Sequence, residues 1–146
     1  RTLLGHAVEM AEVLRERIES HPNLTVLNGE NVGPVTLFRA YPDGVDTFRV
    51  KDLERSDRGY RQKLQAHNEY NRQIYKRVHD EALSGKGVAI SLTDCYRHSD
   101  FDDPIVALKS YVLSPFSDEN RMNSIVKHVL AARDAVDAAS VEPESA

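Results

Sequence analysis

The chain has no tryptophan and a single cysteine, Cys95, among its 146 residues. One cysteine cannot close an intramolecular disulfide and leaves a cysteine-based structural zinc site without ligands, so no metal is expected and a reducing, cytoplasmic setting is the simplest expectation. An excess of positive charge is also missing. Nineteen basic residues stand against 23 acidic ones, a net charge of −4, the wrong sign for a protein that binds by neutralising phosphates. No nucleic-acid partner is expected. No stretch approaches the roughly 20 apolar residues of a membrane-spanning helix, so no membrane association is expected either. Dinucleotide and phosphate loops, a Gly-x-Ser-x-Gly elbow and a His-Glu-x-x-His pair are all absent. The opening residues, Arg1-Thr2-Leu3-Leu4-Gly5-His6, carry neither an initiator methionine nor a signal-peptide core and run straight into a helical pattern. They read as a piece of a longer chain.

What is present is ordinary globular material, 40% hydrophobic and 29% charged, of a length suited to one domain. Leu3, Leu4, Ala7, Val8, Ala11, Leu14 and Ile18 recur at helical spacing and predict an amphipathic helix ended by His21-Pro22. Short strands are expected at Leu24 to Leu27 and, after the turn residues Asn28 to Asn31, at Pro34 to Tyr41. Asp43 to Asp57 shows no period and reads as a solvated connection draped over another surface. A long helix is predicted from about Asp57 to Leu83, ended by Gly85 and Gly87, with Tyr60, Leu64, His67, Asn71, Ile74, Val78 and Ala82 on one stripe. Gly87 to Thr93 and Ile105 to Leu113 are the best strand candidates, joined by a polar loop from Asp94 to Pro104. Ser117 is placed to cap a last helix carrying Met122, Ile125, Val126, Val129, Leu130 and Val136, and Val141 to Ala146 reads as a flexible tail. Residues 1–140 thus predict one α+β two-layer domain, a small antiparallel sheet covered by helices.

Few residues carry an obvious chemistry. Cys95 with His98 has the composition of a thiol and a base, but a spacing of three on a loop supplies no orienting third group. His98, Asp100, Asp102 and Asp103 lack the glycine turn and terminal glutamate of a calcium loop, so they read as solvated loop residues. The six histidines lie in separate elements without ligand spacing. His67 and Asn71 interrupt an apolar helix face, which a polar group does when it finds a hydrogen-bond partner.

Three segments carry a family likeness: His67-Asn68-Glu69-Tyr70-Asn71-Arg72, Ser91-Leu92-Thr93-Asp94-Cys95-Tyr96-Arg97-His98, and Ala107-Leu108-Lys109-Ser110-Tyr111-Val112-Leu113-Ser114-Pro115-Phe116. With their order from Arg1 to about Ala135, they resemble the C-terminal region of the group II pyridoxal-phosphate decarboxylases, which act on glutamate, aromatic amino acids or diaminobutyrate. The resemblance implies the C-terminal small domain of a fold-type-I enzyme. It also implies a large cofactor-binding domain in the same chain, a homodimer partner and an amino-acid substrate.

In that family the cofactor lysine follows a histidine in the large domain. Lys51, Lys63, Lys76, Lys86, Lys109 and Lys127 each follow another residue type. This fragment is therefore expected to hold no pyridoxal phosphate, to contain no catalytic residue and to be inactive alone. Where many members have an arginine that helps hold the substrate carboxylate, this chain has Lys109, a point charge in place of a two-donor fork. Lys109 is the candidate substrate-binding residue, with a solvent-facing or acid-paired side chain as the alternative. A non-catalytic binding or regulatory module, and the small domain of a fold-type-I aminotransferase or lyase, remain open readings.

Overall fold

A computed structural model describes residues 3–28, 33–85, 90–111 and 118–141, without the side chains of Leu3, Leu4, Cys95, Ser140 and Val141. In chain order the elements are α1 (Leu3–Glu19), β1 (Leu24–Val26), β2 (Val35–Ala40), α2 (Val50–Ser56), a 3₁₀ turn (Arg58–Tyr60), α3 (Arg61–Leu83), β3 (Ser91–His98), β4 (Pro104–Tyr111) and α4 (Glu119–Val141). The strands form one antiparallel sheet in the order β1-β2-β4-β3. The α+β two-layer fold expected from the sequence is present.

Cross-strand partners point to the same face of a sheet. The registers Leu24↔Ala40, Val26↔Phe38, Phe38↔Leu108 and Leu92↔Leu108 therefore build one apolar surface. Against it lie Met10, Leu14 and Ile18 of α1, Ile74 and Val78 of α3, and Met122, Ile125, Val129, Ala132 and Val136 of α4. Each fully buried side chain of this kind contributes roughly 1.5–3 kcal/mol, which is how three helices are held on one side. The opposite face, by the two-residue alternation of a strand, carries Thr25, Leu37, Arg39, Ile105, Ala107 and Lys109.

Local chemistry sets the boundaries. Gly85 adopts φ +80, a left-handed conformation that suits glycine, and ends α3. At the start of α4, Asp118 Oδ1 accepts the Arg121 N–H at 2.9 Å, so Asp118 is the capping residue. The expected cap Ser117, the end signal Gly87 and residues 142–146 of the expected tail lie outside the described residues, while Val141, the first residue of that tail, still belongs to α4.

Two expectations need correction. Asp43 to Asp57 is not merely a solvated connection, because it contains α2, in which Val50 and Glu54 are buried. A seven-residue helix with two inward positions four apart is too short to show a period, and a glutamate reads as a surface residue. Asp94 to His98 is not loop, because it continues β3. A register shift between Thr93 and Arg97 breaks the alternation that would have revealed it.

Candidate functional site

Strands β2 and β4 pair from Val35↔Tyr111 to Phe38↔Leu108, where their register ends. The backbone groups beyond that point find partners on α3. Asn68 Oδ1 accepts the Val106 N–H at 3.0 Å and its Nδ2 donates to Pro104 O at 2.8 Å. Asn71 Oδ1 accepts the Ala40 N–H at 2.8 Å and its Nδ2 donates to Ala40 O at 2.9 Å. A side-chain amide has the donor and acceptor of a peptide group, so two asparagines three apart on one helix face continue the ladder, each serving one strand. Asn28 does the same between β1 and β2, accepting from Leu37 N–H at 2.9 Å and donating to Val35 O at 2.8 Å.

Arg39 sits at this splayed end with its side chain fully buried. Its Nε donates to Tyr41 Oη at 3.0 Å, its Nη1 to Asn68 Oδ1 at 2.9 Å and Val106 O at 2.5 Å, and its Nη2 to Glu54 Oε2 at 2.5 Å. The Glu54 carboxylate also accepts from Tyr41 Oη at 2.6 Å and lies 3.1 Å from His67 Nδ1. The edge of Tyr41 meets the His67 ring at 5.1 Å, with Tyr60 on another side at 5.9 Å. A charge removed from water is tolerated only when paired and hydrogen-bonded, and this cluster meets that demand. Burial drives the Tyr41 hydroxyl far above its ordinary pKa, with the negative Glu54 adding to the rise and Arg39 opposing it. Tyr41 therefore stays a hydrogen-bond donor to Glu54 throughout the working pH range.

Above the cluster lies an open cleft of about 650 Å³. Arg39, Glu54 and Ile105 contribute to its lining, with Lys51, Arg55 and Arg97 among its charged residues. Glu19 and Asp52 are the opposing acids, and Arg55 Nη2 lies 3.7 Å from Asp52 Oδ1.

Lys109 lies on β4 opposite Leu37 and Ser91, half-buried on the face away from the three helices. It is not among the residues lining the cleft. The polar loop does not assemble a site. Asp103 is taken by Arg61 at 2.6 and 3.0 Å, while His98 lies 4.0 Å from an almost fully exposed Asp102. Arg61 holds the Asp103 carboxyl below the usual carboxylate range. Among the described residues no three His, Cys, Asp or Glu side chains are grouped to hold a metal.

His67 and Asn71 do find partners, as their place on an apolar face implied. Sequence reasoning missed Arg39, Tyr41 and Glu54. The one legible signal was an arginine inside the strand Val35–Ala40, since a charge in an apolar strand calls for a buried acid. Nothing in the sequence marked Glu54 as that acid.

No family model and no curated protein matches the chain. Solved structures do. Oryza sativa TDC with PLP and tryptamine has a TM-score of 0.61 and 16% identity, covering 91% of this chain and 23% of that one. Catharanthus roseus tryptophan decarboxylase with L-tryptophan gives 0.59 and 16%, covering 92% and 22%. The glutamate decarboxylase domain of diaminobutyrate-pyruvate transaminase and L-2,4-diaminobutyrate decarboxylase from Vibrio parahaemolyticus gives 0.58 and 17%, covering 91% and 22%. This chain spans less than a quarter of the length of those proteins and shares the fold of that part of them.

Proposed function

We propose that the chain is the small C-terminal domain of a pyridoxal-phosphate-dependent amino-acid decarboxylase, a carbon-carbon lyase of fold type I. In this reading a larger domain of the same chain holds the cofactor, a homodimer partner completes the assembly, and the enzyme is cytoplasmic. The observation that carries it is the fold, which decarboxylases acting on different amino acids share over more than nine-tenths of this chain.

The residues present do not fit the cofactor itself. Lys51, Lys63, Lys76 and Lys127 are exposed and Lys109 is half-buried in the sheet. None of these five has the desolvated pocket that makes a lysine a nucleophile. Pyridoxal phosphate, when bound by the rest of the enzyme, supplies the electron sink for loss of carbon dioxide.

This domain's part is to wall the site and bind substrate. Lys109 projects from a central strand whose neighbours fix its backbone on both sides, through Leu37 and Ser91. A lysine held there offers an ammonium to the substrate carboxylate without adding a second directed donor as arginine would.

The intact mass and visible absorption of the native protein test the reading first. A long chain with pyridoxal-phosphate absorbance and carbon dioxide release from an amino acid supports it; a short colourless protein overturns it. In the full enzyme, Lys109→Ala should raise KM about tenfold or more, the worth of one hydrogen bond to a charged group, with Lys109→Arg retaining binding. An unchanged KM in Lys109→Ala removes Lys109 from the substrate site. The fragment alone should release no carbon dioxide even with added cofactor.

A further inference from the structure

Segment 43–60 lines one side of the cleft through Lys51, Asp52, Glu54 and Arg55 and buries few side chains. Of its residues only Val50 and Glu54 are buried, one turn apart on the same face of α2. It leaves the preceding strand region through Gly44, at φ +89, a conformation that favours glycine and marks a sharp change of direction. One of its two buried side chains is therefore a carboxylate, and its other ties are hydrogen bonds nearer the surface, Asp43 with Arg133 at 2.7 Å, Arg55 O with the Asp100 N–H at 2.7 Å, and the longer contacts of Thr47 and Lys51.

The socket that receives this carboxylate belongs to other elements. Arg39 and Tyr41 come from β2 and the residues just after it, and His67 comes from α3. Together they direct a guanidinium, a hydroxyl and a ring nitrogen at its two oxygens, at 2.5, 2.6 and 3.1 Å. Four of the five N–H groups of the guanidinium have partners among the described residues, three of them independent of segment 43–60. The socket is thus oriented by the sheet and α3, not by the residue it binds. Removing the carboxylate would leave a buried guanidinium uncompensated, which strongly favours a replacement anion. Arg39 and Glu54 border the cleft but are buried beneath its floor, so a small solute entering past Lys51, Arg55 and Arg97 meets them only when segment 43–60 moves aside.

The geometry points to a carboxylate-binding site formed by Arg39, Tyr41 and His67, with Glu54 as its resident ligand and segment 43–60 as a strap that an external small carboxylate displaces. This rests on contacts within the described residues and does not depend on the proposed decarboxylase activity. Binding to the strap-open form alone must raise the population of that form, so the ligand leaves a local signature.

Formate and acetate, compared with chloride at equal ionic strength, are the probes, used on the full chain. In Glu54→Ala the melting temperature should rise saturably with formate and acetate but not with chloride. Glu54→Gln, whose amide still fills the socket, should stay flat. Adding Tyr41→Phe to Glu54→Ala should weaken formate binding about tenfold, as loss of a hydrogen bond to an anion does. If Glu54→Ala does not fold in chloride, its refolding yield in formate against chloride gives the same reading. In the wild type, amide hydrogen exchange at residues 45–58 should speed up in formate while α1 and α4 are unchanged. Equal responses from Glu54→Ala and Glu54→Gln overturn the site, and unchanged exchange of the strap in formate overturns displacement.

Discussion

Two regions of the sheet are stabilised by different physics. The helix-covered face is a continuous apolar surface of Leu24, Val26, Phe38, Ala40 and Leu108 packed on three helices. The splayed end of β2 and β4 carries two buried opposite charges, Arg39 and Glu54, linked by hydrogen bonds to Tyr41, Asn68 and His67, with Asn71 beside them on the Ala40 backbone. On the first, stability grows with each methyl group buried and no single partner matters. On the second, each group is tolerated only because another is present. The contrast shows that a domain of this size can contain a polar cluster as dry as its core, provided nearly every donor has an acceptor.

The largest effect should come from breaking that mutual dependence. Arg39→Met alone leaves the Glu54 carboxylate buried without its cation and should cost about 3–5 kcal/mol, whereas Arg39→Met with Glu54→Leu should recover most of it. Urea unfolding of the two single variants and the double variant measures the coupling, and additive losses would show the cluster to be no more than packing. Leu14→Ala on the apolar side should cost about 2–5 kcal/mol with no second substitution at a polar site restoring it, which sharpens the contrast. A smaller loss, about 1–3 kcal/mol, is expected for Asn71→Ala, which strands the Ala40 N–H and C=O. Faster hydrogen exchange at Ala40 would separate this from a general loss of packing.

The smallest effect lies at the surface. Arg133 donates to Asp43 at 2.7 Å and holds its carboxyl below the ordinary range. A carboxylate with a depressed folded pKa contributes stability above its unfolded value, about 3.9, and loses it as pH falls through the folded pKa. Asp43→Asn should therefore cost a small amount of stability at neutral pH, small because the side chain is exposed, and the difference from the wild type should vanish as pH falls below about 4, which flattens the acid limb of the stability profile. A loss as large at pH 7 as that of Arg39→Met would contradict the division between the two regions.

Much of the fold was legible because long amphipathic periods are local. α1, α3 and α4 fall where their apolar stripes placed them, although α1 buries Met10 more deeply than Val8 and α4 buries Ala132 and Arg133 more deeply than Leu130, which packs against the core half-buried. Arg133 escaped notice because its partners, Tyr41 O and Asp43, lie about ninety positions away. α2 and the second half of β3 were not legible, for the short length and the bulge already described. Of the candidate site, His67, Asn68 and Asn71 were visible as polar residues on an apolar helix or within a distinctive segment. Their purpose was not.

By itself the sequence determined the two-layer class, the three long helices, the lack of a disulfide between its own residues and the likeness that suggests a decarboxylase domain. These follow from composition, from period and from motifs whose residues are close in the chain. Only the tertiary structure decided that β2 and β4 part beyond Phe38 and Leu108, that asparagines from α3 complete both edges, and that Glu54 meets Arg39 across fifteen residues. A hydrogen bond or ion pair is satisfied by whatever group arrives at the right distance, and distance between remote residues is a property of the folded chain alone.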